Sequence, residues 1–181
     1  MAVTVARLLR QLLLAVHLGC SIGWIGAVCA YLALAFAVPA TGDPQVVRAA
    51  WIAMALVGWY AVVPLAAGAL LTGVVMGAVT KWGLLRHYWV VISLVGTVVL
   101  TAVLVVHMPD VSARAEIALV ADDEHLLMMG SDIAHAVIGL VLLLGVLVLN
   151  IYKPKGLTRY GWRKERAERA HAPGRRTAAS T

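Results

Sequence analysis

Four long apolar runs constrain the fold of this chain more than any other feature. Residues 11–38, 49–80, 87–107 and 126–152 contain no Lys, Arg or Glu. The hydrocarbon core of a bilayer is about 30 Å thick, which a helix of about 20 residues can cross. Only 13% of the residues are charged, whereas a soluble domain has about 25%. The pattern predicts an all-α protein, a polytopic membrane four-helix bundle formed by residues 1–152.

The distribution of Lys and Arg predicts the orientation of these helices. The first and third connections hold Arg48 and Arg114. All other Lys and Arg residues of the chain fall on the opposite side of the predicted spans. Because basic residues are retained in the cytoplasm, both the N-terminus and the C-terminus are predicted to be cytoplasmic, in a bacterial plasma membrane.

Residues 153–181 are predicted to be a basic, largely disordered cytoplasmic tail. Basic residues next to a span attract anionic lipid headgroups, by about 1 kcal/mol each. No base-reading module accompanies them, so we expect lipid and not nucleic acid as the partner. The residues expected to contact anionic headgroups are Lys153, Lys155, Arg159, Arg163 and Lys164.

Three features of the connections and the second run predict local structure. Asp43 followed by Pro44 is typical of an N-cap and a first helical residue. Pro64 interrupts the second run and should kink its helix, because proline lacks the N–H that the helix needs. Residues 108–125 are the longest connection, in which residues 112–121 could form a short helix on the membrane surface.

Ionisable residues inside the apolar runs are the candidates for chemistry. An aspartate at the centre of a span costs about 2.5–3.5 kcal/mol on insertion scales, so such residues should face the protein interior. Asp132 and His135 lie three apart and would share a face of the fourth helix. With His107 at the outer end of the third helix, they are candidates for a proton or ion relay.

His17 is the ionisable residue of the first run. On ideal helices, its depth in the bilayer differs from that of His135 by about 7–8 Å. Tilted helices could therefore bring both histidines to one buried cofactor. Alternatively, His107 could join His135 near the outer rim. The sequence leaves both arrangements open.

The pattern His17-x6-Trp24-x-Gly26 resembles the first helix of a group of small bacterial membrane proteins. The group includes the four-helix, haem-binding protoporphyrinogen oxidase and the membrane domain of copper resistance protein D. Residues 86–109 look most like a family of predicted integral membrane proteins in the same group. The resemblance implies that His17 is a haem ligand, with Trp24 and Gly26 beside it. In the oxidase a lysine in the third span is its partner, whereas Ser93 stands there in this chain.

The sequence supports three functional hypotheses. The first is a structural or accessory membrane protein with a membrane-protein partner or a second copy of itself. The second is a redox protein that binds haem b through His17, with His135 as the other candidate ligand. The third is a proton- or metal-conducting transporter that uses Asp132 and His135. No nucleotide-binding loop, activated nucleophile or carboxylate pair indicates an enzyme class, and the Cys and Met residues show no metal-ligand spacing.

Overall fold

Helices make up the regular structure of this protein. The computed structural model describes residues 2–80 and 83–170. Four helical stretches are long and apolar enough to cross a membrane, as predicted: Arg7–Ala40, Pro44–Val79, Tyr88–Val120 and Ile133–Tyr152. The helices are α1 (Ala2–Ala40), α2 (Pro44–Val57), α3 (Val63–Val79), α4 (Tyr88–Val120), α5 (Asp123–Met128), α6 (Ile133–Tyr152) and α7 (Arg159–Ala170), and a π-helical turn, Gly58–Val62, joins α2 to α3.

The long helices pack against one another side by side. Helix α1 contacts α2, α3 and α6, and helix α4 contacts the same three. We call the end of the protein that carries α5 and residues 41–43 the α5 end. The opposite end, with residues 83–87 and α7, is the α7 end. One group of buried residues, which includes Trp51, Met54 and Met108, lies towards the α5 end, and a second, which includes Trp24 and Leu143, lies further along the helices.

The predicted N-cap is confirmed. Asp43 is the N-cap of α2, where its Oδ1 accepts a hydrogen bond from the backbone N–H of Gln45 at 2.9 Å, and Pro44 is the first helical residue. The kink expected at Pro64 stays a prediction, and the irregularity in this stretch is the π-helical turn, which ends two residues before the proline. In that turn the N–H of Val63 bonds the carbonyl of Gly58, five residues earlier.

The prediction of a connection at residues 108–125 is wrong for most of its length. Helix α4 continues through Pro109 to Val120, a total of 33 residues, or about 50 Å. The physical reason is a buried stripe at helical spacing on this extension, while its charged residues are exposed on the other face. Arg48 also stabilises the end of the helix, because its guanidinium donates to three backbone carbonyls there. The buried stripe consists of Met108, Val111, Ala115 and Ala118. The guanidinium nitrogens of Arg48 lie 2.6, 2.8 and 2.9 Å from the carbonyl oxygens of Ala118, Leu119 and Ala121.

The predicted start of the fourth span at residue 126 is also wrong. Residues 123–128 form the separate short helix α5, and α6 begins only at Ile133. Asp132 therefore precedes the helix and does not share a helical face with His135. Helix α6 has 20 residues, or about 30 Å, so both residues lie near one end of this span. The break falls at Gly130 and Ser131, since small and hydroxyl residues favour helix boundaries.

The first part of the basic tail is ordered against the connection between α3 and α4. The tail was expected to be largely disordered, but residues 159–170 are helical. The Thr158 hydroxyl donates to the Leu85 carbonyl at 2.5 Å, and Arg86 forms an ion pair with Glu168 at 3.1 Å. Residues 171–181 lie outside the described residues.

Candidate functional site

Four polar side chains meet at the α5 end. The Tyr31 hydroxyl of α1 donates to Asp132 Oδ2 at 2.6 Å. His107 Nε2 of α4 lies 2.9 Å from the same oxygen. The His135 ring, from the first turn of α6, stacks on the His107 ring with 3.7 Å between centroids and 4° between planes. We call Tyr31, His107, Asp132 and His135 the polar cluster.

The polar cluster is buried on one side and open on the other. Tyr31 is 7% exposed, and the side chains of His107 and Asp132 are 19% and 12% exposed. His135 is exposed. The cluster therefore has a fixed inner part, in which Tyr31 holds the carboxylate, and an accessible outer face.

A cavity of about 300 Å³ extends inward from the polar cluster, and we call it the α5-end cavity. Its other walls are almost wholly apolar and come from α1, the π-helical turn, α4 and α6. Glycines at positions 58 and 139 open its surface, since neither presents a side chain. The apolar part is lined by Trp24, Val28, Gly58, Val62, Val99, Leu100, Val103, Leu104, Met108, Ala136, Ile138, Gly139, Leu142 and Leu143.

A second cavity, of about 310 Å³, lies towards the α7 end, and we call it the α7-end cavity. His17, Ser93 and Asn150 are among its lining residues. The Asn150 amide donates to Ser93 Oγ at 3.0 Å. This cavity is more polar than the first and is the one that holds the histidine of the first helix.

The geometry around His17 indicates which of its ring nitrogens carries the proton. The Thr72 hydroxyl donates its one hydrogen to the Gly68 carbonyl, 2.6 Å away. Thr72 Oγ1 lies 2.9 Å from His17 Nδ1 and can only accept there, so Nδ1 is the donor. In a neutral ring Nε2 then keeps its lone pair. A Cβ added at Gly73 would lie 3.2 Å from His17 Cε1, so the glycine permits this close approach.

The structure brings together some of the predicted site residues and separates others. His17, Trp24 and Ser93 line the α7-end cavity. His107, Asp132 and His135 line the α5-end cavity, so His17 and His135 do not face one shared space. Trp24 and Leu143 line both cavities and lie between them. Gly26 lines neither cavity, and a Cβ added to it would meet nothing within 4 Å.

Two residues of the candidate sites were missed from the sequence, Tyr31 and Thr72. Tyr31 lies seven residues after Trp24, which is two helical turns along the same face. That spacing was the available signal. For Thr72 the sequence offered only its position beside Gly73. The five basic residues expected to contact lipid, positions 153, 155, 159, 163 and 164, are all exposed at the α7 end.

Comparison of the chain with protein families, curated proteins and solved structures finds no match.

Proposed function

We propose that this protein is a multi-pass integral membrane protein that binds a lipid-soluble small molecule with one polar end. The four helices long and apolar enough to span are compatible with a membrane location. We further propose that they form a four-helix bundle with both termini in the cytoplasm of a bacterial cell, because the basic residues gather at the α7 end. In this orientation the polar cluster lies at the outer side of the plasma membrane.

The observation that carries the proposal is the position of the polar cluster at one end of an apolar cavity. Ligand cavities are typically apolar with a few convergent polar groups, and begin at about 300 Å³. The α5-end cavity has this composition and reaches that volume, about 300 Å³. An apolar molecular body fits its walls, and one polar group of the molecule would meet Asp132.

The hydrogen bonds of Asp132 indicate the chemistry of that polar group. Tyr31 and His107 both contact Oδ2. Among the described residues no donor reaches Oδ1, so this oxygen is available to accept a hydrogen bond. A hydroxyl group supplies the required donor, and a hydrogen bond to a carboxylate contributes about 1.5–3 kcal/mol. We therefore propose a hydroxyl-bearing, otherwise apolar ligand.

The same walls argue against a conduit for ions or protons. Between the polar cluster and Trp24, the α5-end cavity is lined by aliphatic residues and glycine. A cation that crosses such a region loses its hydration without any replacement, which is costly. A purely structural role gives no reason for an aspartate and two histidines beside a cavity, whereas ionisable residues in spans commonly mark function.

A cavity-filling experiment tests the proposal. Gly139 lines the α5-end cavity and Gly145 does not, and a Cβ at either position meets nothing within 4 Å. We expect Gly139→Leu to fill the cavity and to weaken binding of 2-naphthol at least tenfold in titration calorimetry. Gly145→Leu, on the same helix, should bind 2-naphthol like the wild type. Equal binding by both variants would refute the proposed site.

A second candidate function, haem binding through His17, is favoured by one observation. Histidines that ligate metals usually donate their other ring N–H to a fixed acceptor, and Thr72 is such an acceptor for His17 Nδ1. Ser93 and Met76 line the same cavity, while His135 lies in the other one. Iron held by His17 would supply one-electron redox chemistry.

The test of this second candidate is an absorption spectrum of the purified protein before and after dithionite. A Soret band that is lost in His17→Ala and kept in His107→Ala would support it. A featureless spectrum after haem is supplied would exclude it, without bearing on the α5-end cavity.

A further inference from the structure

The polar cluster contains a set of metal-ligand atoms. His107, Asp132 and His135 each offer one donor atom, and these three atoms lie within 4.8 Å of one another. We propose that these residues bind a divalent first-row transition-metal ion. The inference deepens the proposed function and rests on it, because the ion would lie where the polar end of the proposed ligand binds. It depends on the polar cluster and not on the apolar walls of the cavity.

The distances require only a small rearrangement for coordination. With metal–nitrogen and metal–oxygen bonds of about 2.0–2.2 Å, two ligands of a tetrahedral ion lie about 3.3–3.5 Å apart. His107 Nε2 and Asp132 Oδ2 are 2.9 Å apart, so they need to separate by about half an ångström. The ion takes the place of the proton that these two atoms share, and this proton is released to water.

His135 has the freedom to complete the site. In the present arrangement its ring is parallel to the His107 ring, so the two sets of lone pairs do not converge on one point. His135 is exposed, and within the described residues no hydrogen bond fixes its ring. Rotation about its side-chain bonds would therefore turn one nitrogen towards Asp132.

Tyr31 is the positioning residue of this site. It is buried and donates to Asp132 Oδ2 at 2.6 Å, which holds the carboxylate towards the two rings. Partners of this kind, which bond a metal ligand from behind, commonly change metal affinity by about 10–100-fold when they are removed. Asp132, the His107 ring and the orienting hydroxyl are thus in place before an ion binds, and rotation of His135 completes the site.

The donor types select the class of ion. Two imidazoles and one carboxylate suit zinc and divalent iron, cobalt, nickel or copper. Calcium and magnesium prefer oxygen ligands alone, and monovalent copper prefers sulfur. Three protein ligands would also leave a coordination position open, where the ligand's oxygen would bind.

The charges at the α5 end favour a cation. Asp122, Asp123 and Glu124 are exposed beside α5. Arg114 opposes them, and its guanidinium lies 5.3 Å from the centre of the Trp51 ring. Arg48 also lies at this end, where its guanidinium donates to the Ala121 carbonyl. Three carboxylates against these two arginines leave a net negative potential, which raises the local concentration of cations.

Cobalt binding provides the test, because divalent cobalt reports its ligands through visible absorption. The full chain, purified in mild detergent and treated with a chelator, is titrated with Co²⁺ alone. We expect saturable binding of one ion with visible d–d bands, and release of the cobalt by Zn²⁺. His107→Ala and Asp132→Asn should weaken binding at least 100-fold, and Tyr31→Phe should weaken it about 10–100-fold with a shifted band.

Two controls keep the result interpretable. His125→Ala removes an exposed histidine of α5 outside the cluster and should bind like the wild type. His135→Ala changes an exposed side chain, so it should fold normally and still lose affinity. The inference would be overturned if the wild type showed no saturable cobalt binding, or if His135→Ala bound cobalt as tightly as the wild type. In that case naphthol binding in the same preparation would show whether the ligand site stands without a metal.

Discussion

Replacing Gly58 with alanine is the sharpest test of the packing around the α5-end cavity. Gly58 begins the π-helical turn. A Cβ at this position would lie 2.5 Å from Met108 Cε and 2.6 Å from Met108 Sδ. Ordinary contacts between such atoms are about 3.5–4.0 Å, so the methionine must move by about 1 Å.

The size of the effect follows from the burial of Met108. This side chain is 1% exposed, so it has no path to solvent and can only move into the cavity that it lines. The atoms that the Cβ would meet are the flexible end of the methionine, so the cost falls at the low end of the range for overpacking, about 1 kcal/mol. Alanine in a helix recovers about 0.5–1 kcal/mol relative to glycine. Gly58→Ala should therefore be up to about 0.5 kcal/mol less stable than the wild type.

The assay is unfolding in mixed micelles, with increasing SDS, followed by far-UV circular dichroism. Gly145→Ala is the matched control, since a Cβ there meets nothing within 4 Å, and it should be about 0.5–1 kcal/mol more stable than the wild type. In a Met108→Ala background the clash is absent, so Gly58→Ala should no longer destabilise. Equal stability of the Gly58→Ala and Gly145→Ala variants would refute this description of the packing.

Four further substitutions test contacts at the ends of the helices. Asp43→Ala should lower the free energy of unfolding by about 0.5–2 kcal/mol through loss of the N-cap, as measured in the same SDS titration. An unchanged unfolding midpoint would contradict a contribution of this N-cap to stability. Arg48→Met should lower the free energy of unfolding by about 1.5–3 kcal/mol, the contribution of a hydrogen bond from a charged donor, because carbonyls at the end of α4 lose their donor. Unchanged stability would mean that water replaces the guanidinium. Gly161→Ala should detach α7, because a Cβ there would overlap the Arg86 carbonyl oxygen, and trypsin should then cleave the helix faster. Glu168→Gln should leave α7 docked, since its ion pair with Arg86 is partly exposed and contributes no more than about 1 kcal/mol.

The sequence predicted the helices because an apolar run of this length can satisfy its backbone hydrogen bonds in lipid by forming a helix. The N-cap at Asp43 was predictable for a similar reason, since the required interaction lies within three residues. The extension of α4 was missed because Pro109 and its charged neighbours are typical of a loop. The buried stripe that includes Val111 and Ala115 was visible in the sequence, but its partner surface on α2 was not.

The candidate site was predicted only in part. Asp132, His107 and His135 were identified by their cost in lipid, and the structure brings them together. The placement of Asp132 inside a helix was wrong, because the carboxylate bonds Tyr31 and His107 across the protein instead of continuing a helical face. The separation of His17 from His135 depends on where Trp24 and Leu143 pack, which is a tertiary property that helical spacing does not contain.

The most direct test of the proposed function compares 2-naphthol with naphthalene by titration calorimetry. The two molecules share an apolar body, and only 2-naphthol carries the hydroxyl expected to meet Asp132 Oδ1. Partition into detergent is the same for each protein variant, so differences between variants report the site. We predict that the wild type prefers 2-naphthol by at least tenfold after correction for partition, and that Asp132→Ala loses this preference. An equal preference in both proteins, or no binding by the wild type, would contradict the account.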